Sequence, residues 1–360
     1  MAQKKEKTTI CEAAITVMAF SPDYKRIAFS PNNHLVHLTQ CSEKTDCAQW
    51  SIQHTLDQHG QAVTGIAWGK QTNRILSCAQ DRTAFVWSES EDGTWIPCHV
   101  LLDAAVKRGL TSCAWNASEN RVFIGSAACN VAVGRYDDPN PFWSCVVISP
   151  HVSTVTCLAA HPTQDRCIAT GSSDCTVKIT LTKGRNPEPV VTLRGTGWIN
   201  SLKWSPSGAA LCFATHGGEV HTATGNSEDF STFVNKVVRL PSLPLRSVAY
   251  VNEEVIIGAG YDFYPIGFQQ SKADPTQWEV AGKFVGAPKA LKKEMSATEL
   301  ARARFQNEAS TGQQQAVELP DTKHTNTISY VLPLPEGGNY AFATSSMDGR
   351  VEYWSLEELQ

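Results

Sequence analysis

Tight turns recurring at a nearly constant interval constrain this chain more than any other feature of its sequence. Phrases of one design repeat along it, clearest as AVTGIAWGKQTNRILSCAQDRTAFVW (62–87), TVTCLAAHPTQDRCIATGSSDCTVKIT (154–180) and TISYVLPLPEGGNYAFATSSMDGRVEYW (327–354). Weaker copies occupy 15–39, 110–136, 199–224 and 245–268. Each copy reads as three short strands: an alternating apolar strand, a polar turn, a small apolar strand, then a tight turn into the third. That last turn places Asn33, Asp81, Ala128, Asp174, Gly217, Asp262 and Asp348 at equivalent points, at intervals of 48, 47, 46, 43, 45 and 86 residues.

Such periods match four-stranded units arranged radially. Fourth strands fill the intervals, several opening on tryptophan: Trp50, Trp95, Trp143 and Trp278. The expected fold is all-β, a single seven-bladed β-propeller over residues 1–360. The N-terminal KTTICEA is expected to supply the outer strand of the last blade, removing an open sheet edge.

Composition excludes several classes. Lys plus Arg number 31 against 35 Asp plus Glu, a net charge of −4, so no bulk field draws the chain to nucleic acid or membrane. The N-terminus leads into no long apolar run, and no stretch of eighteen apolar residues occurs, so neither a signal peptide nor a membrane-inserted helix is expected. The twelve cysteines form no CxxC pair. No metal or cofactor is expected, and the thiols read as small hydrophobes in a reducing compartment. His34 and His37 lie on opposite faces of a strand, which suits surface or turn roles better than metal ligation. No GxSxG, HExxH or phosphate-binding glycine loop is present, so no enzyme is expected.

The repeats resemble the Trp-Asp (WD) repeat family across nearly the whole chain. In that family a histidine before the first strand, a Ser or Thr on the second, the turn aspartate and a third-strand tryptophan form a buried hydrogen-bonded set. The resemblance implies two full tetrads, His59–Ser77–Asp81–Trp87 and His324–Thr344–Asp348–Trp354. It also implies a partial one, His151–Thr170–Asp174, with Thr180 at the tryptophan position. A His–Ser–Asp grouping looks like a catalytic triad on paper. Seven blades need the same fastener, however, whereas an enzyme needs one site, so the tetrads are expected to be structural.

The interval from Asp262 to Asp348 exceeds the others by about one blade's worth of residues. The excess reads as an inserted arm, 286–325, with a short helical insertion at about 297–307 before the last blade. Ser296 and Glu299 form a capping box ahead of good helix formers. Leu300, Ala301, Arg304 and Phe305 share one broad face, Arg302 lies elsewhere, and Lys289, Lys292 and Lys293 stand just before. Two readings stay open: a helix folded over its own blade, or an arm offering Leu300 and Phe305 to a partner.

SPNNHLVHL (30–38), GQAVTGIAWGKQTNRILSCAQDRTAFVW (60–87) and ARARFQN (301–307) resemble subunit 1 of the actin-related protein 2/3 complex. The resemblance implies a non-catalytic subunit of a cytoplasmic, hetero-oligomeric assembly of the actin cytoskeleton that nucleates branched filaments. Its implied partners are actin-related proteins, the actin filament and small complex subunits. It implies partner contact through Leu300, Arg302, Arg304, Phe305, Lys292 and Lys293. The connection 181–198 is shorter than the resemblance leads one to expect, which puts any partner contact there in question. A generic WD-repeat scaffold or substrate-receptor adaptor is the alternative.

Overall fold

The computed structural model describes residues 9–41, 46–137, 141–184, 187–226, 230, 232–272, 274, 277–285 and 322–360. Their strands form seven blades in chain order, at 17–56, 63–101, 110–148, 155–194, 199–239, 245–283 and 328–354. Blades 1–6 each have four antiparallel strands, and blade 7 shows three. The outer strands of blades 2 and 3 also meet in parallel, Trp143 opposite Val100 and Ser144 opposite Leu101, so these two blades share one sheet.

The innermost strands, Val17–Phe20, Val63–Trp68, Leu110–Trp115, Val155–Ala160, Ile199–Trp204, Leu245–Tyr250 and Ile328–Pro333, stand around a central channel. Second strands such as Ile75–Ala79, Cys167–Ser172 and Ala210–Thr215 are buried throughout, because each is covered by a neighbouring blade on both faces. The hydrophobic core is therefore divided among the interfaces between blades. Leu76, Val86 and Val100 of blade 2 pack with Leu110, Val122 and Trp143 of blade 3, for example. Ile15, Met18 and Phe29 of blade 1 pack with Ala343, Val351 and Tyr353 of blade 7, which closes the ring.

Closure differs from the expectation at the N-terminus. Residues 9–13 of KTTICEA form bends rather than strand. Ile10 is buried between blades 7 and 1, its N–H donating to Gly349 O at 3.0 Å, and the Ile15 N–H reaches Ser346 O at 3.2 Å. The segment thus crosses the last turn of blade 7 instead of pairing along its outer edge. Burial of Ile10 explains this, since an outer-edge strand would leave that side chain near solvent. The C-terminal residues supply a second clasp. Lys283 N donates to Gln360 O at 2.8 Å, Gln360 N donates to Lys283 O at 2.9 Å, and Phe284 pairs with Leu359.

The expected arm, 286–325, is described only from 322 onward. The helix at about 297–307, Ser296, Glu299, Leu300, Arg302, Arg304, Phe305, Lys292 and Lys293 lie outside the described residues. Both roots of the arm are anchored. Phe284 is fully buried against Phe342 and Trp354, while Lys323 Nζ sits 4.1 Å above the Trp354 ring and 2.7 Å from Glu358 Oε2. Among the described residues no helix is long and apolar enough to cross a membrane.

Candidate functional site

In blade 2 the four tetrad residues meet around a fifth, Thr83. Trp87 Nε1 donates to Ser77 Oγ at 2.9 Å, and Ser77 Oγ lies 2.7 Å from His59 Nε2. On the other side of the ring His59 Nδ1 is 2.7 Å from Thr83 Oγ1, whose hydroxyl donates to Asp81 Oδ1 at 2.6 Å. Asp81 also accepts from Thr83 N at 2.8 Å and from Gly60 N. Because Thr83 spends its proton on the carboxylate, it accepts from His59 Nδ1–H, and a neutral ring then accepts the Ser77 proton at Nε2. Burial pushes the His59 pKa down to about 4, against a weaker upward pull from Asp81. Burial works to raise the Asp81 pKa, but hydrogen bonds from Thr83 and Gly60 outweigh it and hold the carboxyl below its ordinary value.

Blade 7 repeats the chain without the threonine. Trp354 Nε1 donates to Thr344 Oγ1 at 2.8 Å, Thr344 Oγ1 is 2.7 Å from His324 Nε2, and His324 Nδ1 is 3.3 Å from Asp348 Oδ2. In blade 4, His151 Nε2 is 2.9 Å from Thr170 Oγ1 and Nδ1 is 2.9 Å from Asp174 Oδ2. The Oγ1 of Thr180, at the tryptophan position, is buried with no hydrogen-bond partner among the described residues. Ser77, Thr170 and Thr344 are all fully buried. A nucleophile must reach its substrate, so these groupings bind strands together and offer no reactive group to solvent.

Blades lacking the aspartate carry substitutes that sequence reasoning missed. In blade 3, Ser126 Oγ donates to Asn130 Oδ1 at 2.7 Å, and Asn130 Nδ2 donates to Ala105 O at 3.1 Å. In blade 5 the carboxylate is Glu219, bonded by Thr196 Oγ1 at 2.6 Å, His221 Nε2 at 3.1 Å and Arg239 Nε at 3.2 Å. His221 stacks on Phe213 at 4.4 Å and 10°, so the imidazole arrives from the third strand instead of from the loop before the first. The signal was present as a histidine two residues after a glutamate beside the glycine turn.

A second ring of contacts also went unread. Each innermost strand of blades 2–7 has a bulge at its second residue, where the register skips one position. A bulge re-aims its side chain, here toward the next blade. Thr64 Oγ1 donates to Leu110 O at 2.9 Å, Thr111 Oγ1 to Val155 O at 2.6 Å, Thr156 Oγ1 to Ile199 O at 2.5 Å, and Asn200 Nδ2 to Leu245 O at 2.8 Å. Ser329 Oγ donates to Ile15 O across the closure. Indoles reach the opposite way: Trp115 Nε1 donates to Ala67 O and Trp204 Nε1 to Ala159 O, both at 3.2 Å. The signal was a Thr, Asn or Ser at one fixed point of the repeat. Only Arg246, at the sixth blade, breaks the pattern.

His34 and His37 do not converge. His34 Nε2 faces Asp57 at 3.6 Å, and His37 Nδ1 is 3.0 Å from Thr55 Oγ1. All twelve cysteines are free thiols.

Blades of four strands fastened by His–Ser/Thr–Asp–Trp sets around a channel define a WD-repeat β-propeller. The WD domain, G-beta repeat family matches residues 50–88 and 143–180. The chain is 31% identical to Actin-related protein 2/3 complex subunit 1B of Arabidopsis thaliana over 375 aligned residues, covering 96% of this chain and 95% of the relative. Subunit 1A-B of Xenopus laevis is 30% identical with the same coverage. Subunit 1 of Schizosaccharomyces pombe is 28% identical over 93% of this chain and 97% of its own. The chain belongs to the family of actin-related protein 2/3 complex subunit 1. It is a WD-repeat protein of a family named for a place in a complex, and not an enzyme.

Proposed function

We propose that this chain is the propeller subunit of an actin-related protein 2/3 complex and acts there as a scaffold for nucleating branched actin filaments. The observation that carries the reading is collinear similarity over 96% of this chain and 95% of the Arabidopsis relative, which takes in every blade. The mechanism is association. A ring stapled between neighbouring blades is a rigid platform, so partners bound to it are held in fixed relative orientation without an ordering cost at each encounter.

The inserted arm, 286–325, is the proposed contact with actin or an actin-related protein. Leu300 and Phe305 are assigned as desolvated anchors, and Arg302, Arg304, Lys292 and Lys293 as groups that steer toward an acidic surface. Its support is the anchorage of both roots, Phe284 against Phe342 and Trp354 and Lys323 against Trp354 and Glu358. Anchored roots let the arm transmit a binding force to the ring. The proposed setting is cytoplasmic, at the actin cytoskeleton.

Affinity purification of the tagged chain from its own cells tests the assignment. Recovery of actin-related proteins at fixed stoichiometry, with native mass giving one propeller per assembly, is the expected result. Recovery of ubiquitin-ligase components without actin-related proteins would replace this reading with that of a substrate receptor.

A further inference from the structure

The central channel encloses about 990 Å³, and its walls are chemically unequal. On the side of blades 1–4 the penultimate residue of each innermost strand is Ala19, Ala67, Ala114 or Ala159. Blade 5 places Lys203 at that point, and blade 6 places Arg246 at the bulge where other blades carry a stapling Thr, Asn or Ser. Lys203 Nζ reaches past blade 6 to within 5.9 Å of the Tyr330 ring of blade 7. Three blades in succession thus turn a cation or a phenol toward one space, where blades 1–4 carry alanine at the matching point, although Lys70 of blade 2 also lines the channel.

Lys203, Arg246 and the Tyr330 hydroxyl line this channel and form no hydrogen bond or ion pair with the described residues. The carboxylate in the described lining, Glu119, is already engaged: it accepts from Gln71 N at 2.9 Å and from Thr72 N and Thr72 Oγ1, each at 2.7 Å. Half-buried cations without counter-charges are costly, and Arg246 additionally forgoes the hydrogen bond that its counterparts make to the next blade. The contact of Lys203 with the Tyr330 ring is the one attraction the described residues supply to either cation.

We infer that the channel wall formed by Lys203, Arg246 and Tyr330 binds a small polyanion. Its chemistry is that of a phosphate or polycarboxylate: oxygens that accept charge-assisted hydrogen bonds from the ammonium and guanidinium, with the phenol as a neutral third donor. A channel of this volume accepts a ligand of metabolite to drug size. The two cations lie three residues apart along parallel neighbouring strands, roughly 10 Å of rise. An elongated anion or one with several charged groups therefore fits better than a single phosphate.

Calorimetric titration of the full chain with inorganic pyrophosphate and, separately, citrate tests this and distinguishes phosphate from carboxylate ligands. Saturable one-to-one binding that weakens as salt rises is expected. Lys203→Ala and Arg246→Thr install residues that other blades already carry at these points, so the variants keep the ring's own chemistry. Each is expected to weaken binding by about tenfold or more, as loss of one charge-assisted contact implies. Absence of saturable heat with both anions up to about 10 mM, a range that covers even millimolar affinity, overturns the proposal. So does unchanged affinity in folded variants. A measurement on the unaltered chain stands independently of variant folding: saturating pyrophosphate should slow acylation of Lys203, read by peptide mass spectrometry, and equal rates with and without the anion also overturn it.

Discussion

Arg26 of blade 1 places its guanidinium on the Glu89 carboxylate of blade 2 in a two-point contact, Nη1 to Oε1 at 2.7 Å and Nη2 to Oε2 at 3.0 Å. The same guanidinium lies 5.4 Å from the ring of Trp68 and 5.8 Å from that of Trp95. Asn73 joins the group, accepting from Trp68 Nε1 and donating to Glu89 Oε2. Adjacent blades are here held by geometry that lysine cannot reproduce. Arg26→Ala should lower stability by about 1–2 kcal/mol, and Arg26→Lys should recover less than half of that. Chemical denaturation midpoints at constant slope are the check. Hydrogen bonding from Arg26 is the largest of the influences that depress the Glu89 pKa. This part of the stability is therefore present above the ordinary glutamate range and lost as pH falls through the lower folded value.

The blade 2 tetrad predicts a larger pair of effects of the same sign. Ser77→Ala strands Trp87 Nε1 and His59 Nε2 in a buried site, and should cost about 1–3 kcal/mol. His59 is neutral when folded, with a pKa of about 4 against an unfolded value near 6.5, so between these values the unfolded chain binds the extra proton. Stability is complete above about pH 6.5 and declines as pH drops toward 4, with His59 alone worth up to about 2 kcal/mol at pH 5. Burial also lowers the pKa of His151 and His221, which adds to the slope. Thermal unfolding between pH 7 and pH 4.5 measures it. A flat profile would mean that the imidazoles are protonated in the folded ring.

One substitution should have opposite signs at two threonines. Thr111→Val removes the hydroxyl that donates to Val155 O at 2.6 Å and should cost about 1 kcal/mol. Thr180→Val removes a buried hydroxyl with no partner among the described residues, and should be neutral or stabilising by up to about 1 kcal/mol. Both changes are nearly isosteric, so differences in melting temperature report the hydrogen bond and not the packing.

The arm makes a prediction that separates binding from stability. Deleting 288–312 preserves Phe284 and His324 and should leave the thermal midpoint of the propeller almost unchanged, while branching activity of the assembly falls. Precipitation of the deleted chain would mean instead that Phe305 covers core, the other reading of this helical face.

How the two levels divide is plain in blades 2, 5 and 7. Asp81 and Asp348 were legible because the turn chemistry of each blade is local: a carboxylate, the strand after it and the indole six residues on lie within one short phrase. Repetition of that phrase determined the all-β class, the number of blades and the structural role of the tetrads' residue types. Blade 5 was not legible in the same way, because Glu219 and His221 rebuild the fastener from positions the phrase does not mark. The staples from Thr64 to Leu110 and from Ser329 to Ile15 join residues 46 and 314 apart, so no local window contains both partners. Tertiary structure alone decided that Ile10 crosses a turn instead of extending an edge, and that Gln360 clasps Lys283. It also decided that Lys203, Arg246 and Tyr330, unremarkable in three separate strands, line one channel. The physical reason is that periodicity specifies which face of a strand is buried, whereas closing a ring specifies what that face meets.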